Sequence, residues 1–178
     1  MTKEEMFQAC ISSILEHEGG LTMDKRDPGG TTNWGVSLRY LKAMGLDLNG
    51  DGQINDEDVI GLHKDGAITV YRKYWWYKYK YEMFYELIIV EKVFDMAVNM
   101  GAITAHKLLQ IALNRLRWKP ITVDGLLGTQ TFLAANATNS TKLRDELRIC
   151  AKHHYDEILA NHPNMEWARN GWMNRAEW

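Results

Sequence analysis

The sequence predicts a mainly α-helical protein. Apolar residues recur at helical spacing along most of the chain, and no apolar/polar alternation typical of a strand extends beyond a few positions. The 178 residues are 46% hydrophobic and 25% charged, values typical of a globular protein and not of a disordered one. A folded chain of this length buries about 70% of its surface, so we expect a core that needs no metal or disulfide to form.

The first part of the chain contains four predicted helices. The first covers Lys3–His17 and is ended by the glycines after Glu18. Residues 21–34 are rich in Gly, Thr, Asp and Pro, which predicts a loop or a short hairpin. Three further helical patterns follow, at Val36–Met44, at Asp56–His63 and from Asp65 to about Lys80.

The second part contains four more. The first covers Ile88–Asn99, and the next has the clearest helical face of the chain, with apolar residues at i, i+3, i+4, i+7, i+8 and i+11 from Ala105 to Leu116. Pro120–Gly128 predicts a turn region, which is followed by helices at Thr129–Asn136 and Thr141–Leu159.

Neither an internal repeat nor a linker is evident in the sequence. We therefore expect a single compact unit and a monomer. The break at Asn99-Met100-Gly101 divides this unit into a front part, residues 1–98, and a back part, residues 99–178.

Composition and charge exclude several classes of function. The net charge of −2, with no strongly basic half, argues against a nucleic-acid-binding protein. No apolar run approaches the roughly 20 residues of a transmembrane helix, so we expect no membrane insertion. Cys10 and Cys150 lie in apolar helical patterns, which favours buried free thiols and synthesis in a reducing compartment.

Residues 47–58 have the pattern of a calcium-binding loop of the EF-hand type. Such a loop supplies oxygen ligands from positions 1, 3, 5, 7, 9 and 12, with a glycine at position 6 for a sharp turn. Gly52 falls at position 6, and helical patterns flank the loop on both sides. The expected calcium ligands are Asp47, Asn49, Asp51, the carbonyl of Gln53, Asn55 through a water, and Asp58.

The last position of this loop departs from the sensor type. Asp58 replaces the bidentate Glu of sensor loops, an ending that resembles the loops of dockerin modules. The alternative interpretation of the segment is a solvated acidic turn. Because one such loop is evident and no partner loop, we expect a structural calcium ion rather than a calcium switch.

Glu18 is the candidate general acid. It follows Ile14 by four residues and Leu15 by three, so it continues the apolar face of the first predicted helix. A carboxyl at the rim of a core is expected to have a raised pKa, as a general acid requires; a surface glutamate is the alternative. Asp27 follows nine residues later and Thr32 five after that, an order similar to the Glu–Asp–Thr arrangement of phage lysozymes. Two carboxylates about a glycosidic bond are the apparatus of most glycoside hydrolases.

Several linked motifs occur in order between about residues 9 and 175. They are Glu16–Gly20, Asp27–Ser37, Tyr71–Trp75, Asp95–Gly101, Leu109-Gln110, Val123–Gly125 with Gly128 and Thr131, and Gly171–Arg175. Together they closely resemble glycoside hydrolase family 108, the lysozyme-like N-acetylmuramidases of phage endolysins and bacterial secretion-activator proteins. The resemblance implies a lysozyme-like helical fold with a short active-site loop or hairpin, and hydrolysis of the MurNAc–GlcNAc bond of peptidoglycan with Glu18 as the acid.

The resemblance also bears on substrate contacts. It implies a peptidoglycan-binding region in the back part of the chain. Leu21 stands where the family often has an aromatic residue, so one contact with the substrate is expected to differ. The calcium loop is not required by the glycosidase chemistry.

Residues 71–85 are dense in aromatic residues interleaved with Arg and Lys. Pyranose rings stack on aromatic faces and peptidoglycan is anionic, so part of this stretch is expected to line a substrate groove and part to be core. Single-stranded nucleic acid would suit a similar groove, but the net charge disfavours it. Asn99 shares a helix face with Asp95, and a purely structural role for both residues is the alternative to a role in holding the cleft. The candidate substrate-binding residues, here and in the motifs above, are Asn33, Trp34, Tyr74, Trp75 and Asn99.

Three functions therefore compete: a muramidase, a non-catalytic cell-wall-binding protein and a calcium-dependent interaction module. The presence of Glu18, Asp27 and Thr32 favours the first over the second, and the single calcium loop disfavours the third. The first five residues lack the basic start and apolar run of a secretory signal peptide. We therefore expect synthesis in the cytoplasm and action on the wall in the periplasm or outside the cell, reached through a phage holin or a dedicated export route.

Overall fold

The mainly α-helical fold is confirmed by a computed structural model, which describes residues 1–17, without the side chain of His17, residues 20–23 and residues 30–178. Glu18 and Asp27, the two carboxylic acids predicted to act in catalysis, lie outside the described residues. The chain divides into two compact units, Met1–Lys80 and Tyr81–Trp178.

Among its described residues, the first unit contains four α-helices and a short hairpin. The helices are α1 (Lys3–His17), α2 (Leu38–Met44), α3 (Asp56–Ile60) and α4 (Lys64–Tyr71). The helix α1 has the predicted bounds, and its apolar stripe is buried. The buried residues of that stripe are Met6, Phe7, Cys10, Ile11, Ile14 and Leu15.

The hairpin precedes α2 and takes two residues that the helical pattern had assigned to a helix. The strands β1 (Thr32–Asn33) and β2 (Val36–Ser37) pair antiparallel, with Asn33 opposite Val36. Trp34 and Gly35 both have positive φ angles, of 52° and 74°, as a two-residue turn of the type I′ kind requires. The helix α2 starts later than predicted because the Ser37 side chain accepts a hydrogen bond from the Tyr40 amide and caps it.

The long helix predicted from Asp65 to about Lys80 is only partly α-helical. After α4 the chain continues as a π-helix over Arg72–Tyr77, and Lys80, with a φ of 57°, lies beyond its end. The wider π turn accompanies the burial of two adjacent indoles, Trp75 and Trp76. The predicted helix at Asp56–His63 ends at Ile60, where Gly61 follows.

The second unit is built from five α-helices. They are α5 (Leu87–Met100), α6 (Ala102–Leu116), α7 (Thr129–Ala137), α8 (Ser140–Asn161) and α9 (Arg169–Glu177). Short 3-10 segments, Tyr81–Met83 and Pro163–Ala168, precede α5 and α9. The helix α5 packs against α6 and α8, and α8 also packs against α6 and α9.

The helix α9 was not predicted, because its polar sequence has no apolar stripe and only Ala176 is buried. Long-range polar contacts hold it instead. Lys92 of α5 is 1% exposed, and its ammonium donates to the carbonyls of Arg175 and Ala176, at 2.8 and 2.9 Å. Burial lowers the pKa of Lys92 to about 8. No helix among the described residues is long and apolar enough to cross a membrane.

Candidate functional site

The predicted catalytic threonine lies in a small region of sheet. The backbone of Thr32 exchanges hydrogen bonds of 2.8 and 2.9 Å with that of Thr22, so residues 20–23 are joined to β1. The Thr32 side chain is half-buried, and its hydroxyl donates to the Gly30 carbonyl at 3.3 Å. The position of Thr32 in the hairpin is therefore defined, whereas Asp27 of the same motif lies outside the described residues.

Asn33 and Trp34 connect this hairpin to the rest of the first unit. The buried Asn33 amide donates to the carbonyls of Val59 and Leu62, both at 3.0 Å, at the end of α3. The Trp34 carbonyl accepts a hydrogen bond from the Tyr71 hydroxyl at 3.1 Å, while its side chain is half-buried. Their predicted contacts with substrate stay predictions, and both residues also position the hairpin.

The aromatic stretch divides into core and surface. The Trp75 ring is buried and stacks on Tyr40, with ring centroids 5.2 Å apart. Tyr74 is half-buried, with the Lys73 ammonium 5.0 Å from its ring centroid. Of the two candidates in this stretch, Tyr74 therefore offers the more accessible ring to a ligand.

A cavity of about 290 Å³ lies beside the second half of α1 and was not foreseen from the sequence. Its polar lining includes Gln8, Ser12 and Glu16 from α1 and Lys64 from α4. Their spacing of four residues, which places the three α1 side chains on one face, is the signal that could have identified them. Neutral, acidic and basic groups thus surround one opening next to the helix that leads to Glu18 in the sequence.

The predicted calcium loop is closed by hydrogen bonds from its own backbone. The two Asp47 oxygens accept from Gly50 and Gly52, both at 2.7 Å. Asp58 is buried, and its two oxygens accept from the amides of Leu48, Asn49 and Asn55. Burial opposes the ionisation of Asp58, but these three amides outweigh it and lower its pKa.

The other predicted ligands take part in the same ring. The Asn49 side-chain oxygen accepts from the Asp51 amide at 2.9 Å, and an Asp51 oxygen accepts from the Gln53 amide at 2.8 Å. Among the described residues, no three His, Cys, Asp or Glu side chains are arranged to hold a metal ion. Binding of calcium would therefore depend on the Asn and carbonyl oxygens that this sequence also supplies.

Asp95 and Asn99 contact other helices of the second unit. The buried Asp95 carboxylate pairs with Arg175 of α9 at 2.8 Å. Asn99 accepts a hydrogen bond from the Tyr155 hydroxyl of α8 at 2.7 Å. The structural role offered as the alternative for Asp95 is what the structure describes, and substrate binding by Asn99 stays a prediction.

The motif in the back part forms a hydrogen-bonded network. The buried Gln110 amide donates to an Asp124 oxygen at 2.8 Å and to the Leu126 carbonyl at 3.0 Å, and its oxygen accepts from the Gly125 amide at 2.7 Å. The nitrogen of the Gln110 amide also donates to the Thr131 hydroxyl oxygen, at 3.4 Å. This one side chain therefore holds the loop between α6 and α7.

The comparisons with known proteins cover both parts of the chain. The Glycosyl hydrolase 108 family model matches residues 11–101, and that of the Predicted Peptidoglycan domain matches residues 104–177. No curated protein matches the chain. The division predicted between residues 98 and 99 stays a prediction.

The fold is similar to a solved one. The structure of Brucella abortus SagA matches with a TM-score of 0.79 at 23% identity, over 98% of this chain and 91% of that chain. At this identity the likeness shows the fold. The first family match spans half of the chain and includes the described hairpin. The chain therefore belongs to the glycosyl hydrolase 108 family, as a lysozyme-like glycoside hydrolase that acts on peptidoglycan and carries a peptidoglycan-binding region.

Proposed function

We propose that this protein is an N-acetylmuramidase that cleaves the MurNAc–GlcNAc bond of peptidoglycan, with Glu18 as the general acid. The observation that carries the proposal is the Glu18-Gly19-Gly20 motif, directly after the buried stripe of α1 and inside the segment that matches the family. A carboxylic acid next to apolar surface keeps its proton near neutral pH and can protonate the leaving oxygen.

Asp27 is proposed as the second carboxylate and Thr32 as its polar neighbour. Asp27 would either attack the anomeric carbon or direct a water to it, and the separation from Glu18 decides between the two. Carboxyl groups about 5 Å apart suit a retaining enzyme, and about 6.5–9.5 Å suits an inverting one. The backbone bonds between Thr32 and Thr22 support a fixed position for the threonine hydroxyl.

The substrate groove is proposed to include Trp34 and Tyr74 as stacking platforms. Both side chains are half-buried, so each has a supported ring and an accessible surface. The cavity beside α1 adds Ser12, Glu16 and Lys64, which supply hydrogen-bonding and charged groups for an amino sugar and its lactyl carboxylate.

We further propose that residues 47–58 bind one structural calcium ion. The ring of hydrogen bonds already brings Asp47 close to Gly52, the first and sixth positions of the loop. Asp58 at the twelfth position has a pKa lowered by its backbone hydrogen bonds, so it supplies an anionic oxygen donor at neutral pH. Asn side chains and a backbone carbonyl suit calcium, which prefers hard oxygen ligands.

Product analysis tests the proposed bond. Purified peptidoglycan is digested with the full chain, and the fragments are reduced with borohydride and identified by mass spectrometry. Cleavage by a muramidase leaves MurNAc at the reducing end, whereas reducing-end GlcNAc or newly freed peptide amines would overturn the assignment. Anhydro-MurNAc ends would show transglycosylation instead of hydrolysis. Wall binding without any release of fragments would support the non-catalytic alternative.

A further inference from the structure

The loop between α6 and α7, residues 117–128, presents a large apolar side chain to solvent. Trp118 is 102% exposed, the highest value among the large hydrophobic residues described. Single exposed apolar residues are common, but Val123 and Leu126 of the same loop are exposed as well. Exposed apolar groups collected on one segment are typical of an interaction surface.

This loop is held at defined points on α6. The amide and carbonyl of Ile121 are both bound by the Asn114 side chain, at 2.8 Å each. The buried His106 ring donates from Nδ1 to the Gly125 carbonyl at 3.1 Å and accepts at Nε2 from the Tyr81 hydroxyl. Burial lowers the pKa of His106 to about 4, so the ring is neutral and this arrangement persists at ordinary pH.

Close packing adds to these bonds. A Cβ atom on Gly125 would lie 2.9 Å from the Ile103 side chain, so the loop backbone rests directly on α6. Trp118 is two residues beyond the end of α6 and three before Ile121. The backbone at Trp118 is therefore held on both sides, by the end of α6 and by Ile121. Binding of a ligand to the indole would then cost little conformational entropy of the loop.

A cavity of about 320 Å³ opens in the same loop. Its lining residues include Thr122, Asp124, Thr129 and Gln130, all of which have polar side chains. Ile121 also lines this cavity. Because Ile121 follows Trp118 by only three positions, their Cα atoms are at most about 11 Å apart. Trp118 does not itself line the cavity, but this separation lets a ligand of several sugar residues reach from one to the other.

The chemistry of these groups favours a saccharide. An indole face stacks on the C–H face of a pyranose, and hydroxyls, amides and a carboxylate bind sugar hydroxyls and an N-acetyl group. Arg117 and Lys119 flank Trp118 in the sequence and suit the carboxylates that peptidoglycan carries. The segment also lies within residues 104–177, which match the peptidoglycan domain.

We propose that Trp118 and this cavity form a non-catalytic binding site for an N-acetylated amino sugar of the peptidoglycan glycan strand. The proposal rests on the proposed function, since it takes the same polymer as the ligand. The site would retain the enzyme on insoluble wall material. A site for the stem peptide is the competing assignment, and the experiment separates the two.

The test measures binding of the full chain to purified sacculi, stripped of proteins and wall polymers, by cosedimentation at low temperature. We expect Trp118→Ala to weaken binding about tenfold or more, as loss of a central aromatic contact does. Trp167→Ala is the matched control, because Trp167 is a 54% exposed indole of the same unit that does not line the cavity. Thr122→Leu, which replaces a polar lining residue by a bulkier uncharged one, should weaken binding as Trp118→Ala does. Melting curves verify that each variant is folded.

Soluble probes identify the ligand. N-acetylglucosamine tetramer should shift the amide NMR signals of residues 117–131, and a stem tetrapeptide should not. Equal sacculus binding by Trp118→Ala and wild type would overturn the proposal, and so would shifts produced by the peptide alone.

The release of reducing ends is measured in parallel with binding. If wild type hydrolyses sacculi and Trp118→Ala binds them equally well, the proposed site fails and the proposed function stands. If wild type binds through Trp118 but releases no saccharide, the function fails and the site stands.

Discussion

The Asp95 carboxylate lies 2.8 Å from a guanidinium nitrogen of Arg175, a residue eighty positions later in the chain. Asp95 is 1% exposed and the Arg175 side chain 15%, so the pair is shielded from water. The Arg175 Nε atom also contacts both Asp95 oxygens, at 3.0 and 3.2 Å. This ion pair joins α5 to α9, whose sequence offers little apolar surface of its own.

Replacing one partner of this pair should be costly. Asp95→Asn leaves the Arg175 charge without its anion, and breaking a buried pair in this way costs about 3 kcal/mol or more of unfolding free energy. Urea unfolding measures the loss. Asp156→Asn is the control, because it removes an exposed partner of Arg169 and should cost less than about 1 kcal/mol. Equal losses in the two variants would contradict the structural role given to Asp95.

The buried Lys92 should make the free energy of unfolding increase with pH. Burial lowers its pKa from 10.5 to about 8 in the folded chain, so between these values the unfolded chain holds the proton more often. Stability contributed by this group therefore rises with pH, by about 1 kcal/mol from pH 7 to pH 9. The measurement is the unfolding free energy of wild type minus that of Lys92→Met across this range. The exposed Lys142→Met serves as the control, and a flat difference for Lys92→Met would refute the prediction.

Sequence patterns predicted the helices that are defined by their own residues, and they missed those that depend on contacts with distant residues. The helix α1 was predicted to the residue because its apolar stripe is one-sided and glycines follow it. The helix α9 was not, since its position depends on Lys92 and Arg175 contacts that no periodicity reveals. The π-helix over Arg72–Tyr77 was also missed, because adjacent tryptophans are equally compatible with an α-helix exposing one of them.

The sequence predicted which residues belong to the candidate site, but it did not predict which groups those residues contact. An asparagine such as Asn33 suits a substrate groove or a structural joint, and only the fold reveals that its amide binds the carbonyls of Val59 and Leu62. The same holds for Trp75, which stacks on Tyr40 in the core. The predicted pair of catalytic acids remains a sequence prediction that mutation must test.

Glu18→Gln should abolish most of the hydrolytic activity. Glutamine has nearly the same shape but no proton to give, and loss of a general acid costs about 10²–10⁴ in rate. The measurement is the release of reducing ends from peptidoglycan, with melting temperature and sacculus binding as checks on the fold. Glu5→Gln, at an exposed position in the first turn of α1, is the control and should retain activity. Activity of Glu18→Gln within threefold of wild type would remove Glu18 from the catalytic role.

Calcium should stabilise the first unit through residues 47–58. Asp47, Asp51 and Asp58 bring three negative charges into one loop, and an ion that binds only the folded state stabilises it by mass action, by about 2.7 kcal/mol at a hundredfold excess over its Kd. We expect EDTA to lower the melting temperature and Asp51→Ala to reproduce that loss without further effect of EDTA. Asp56→Asn, an acid inside the loop that is not a predicted ligand, should still respond to EDTA.

The effect of EDTA on activity separates a structural calcium ion from a catalytic one. A structural ion predicts that EDTA leaves activity unchanged well below the lowered melting temperature, because its effect passes through stability alone. An identical melting temperature with calcium and with EDTA would contradict an occupied site. Loss of activity in the fully folded protein would instead place the loop at the substrate groove, since an ion remote from the reacting groups has no other route to the rate.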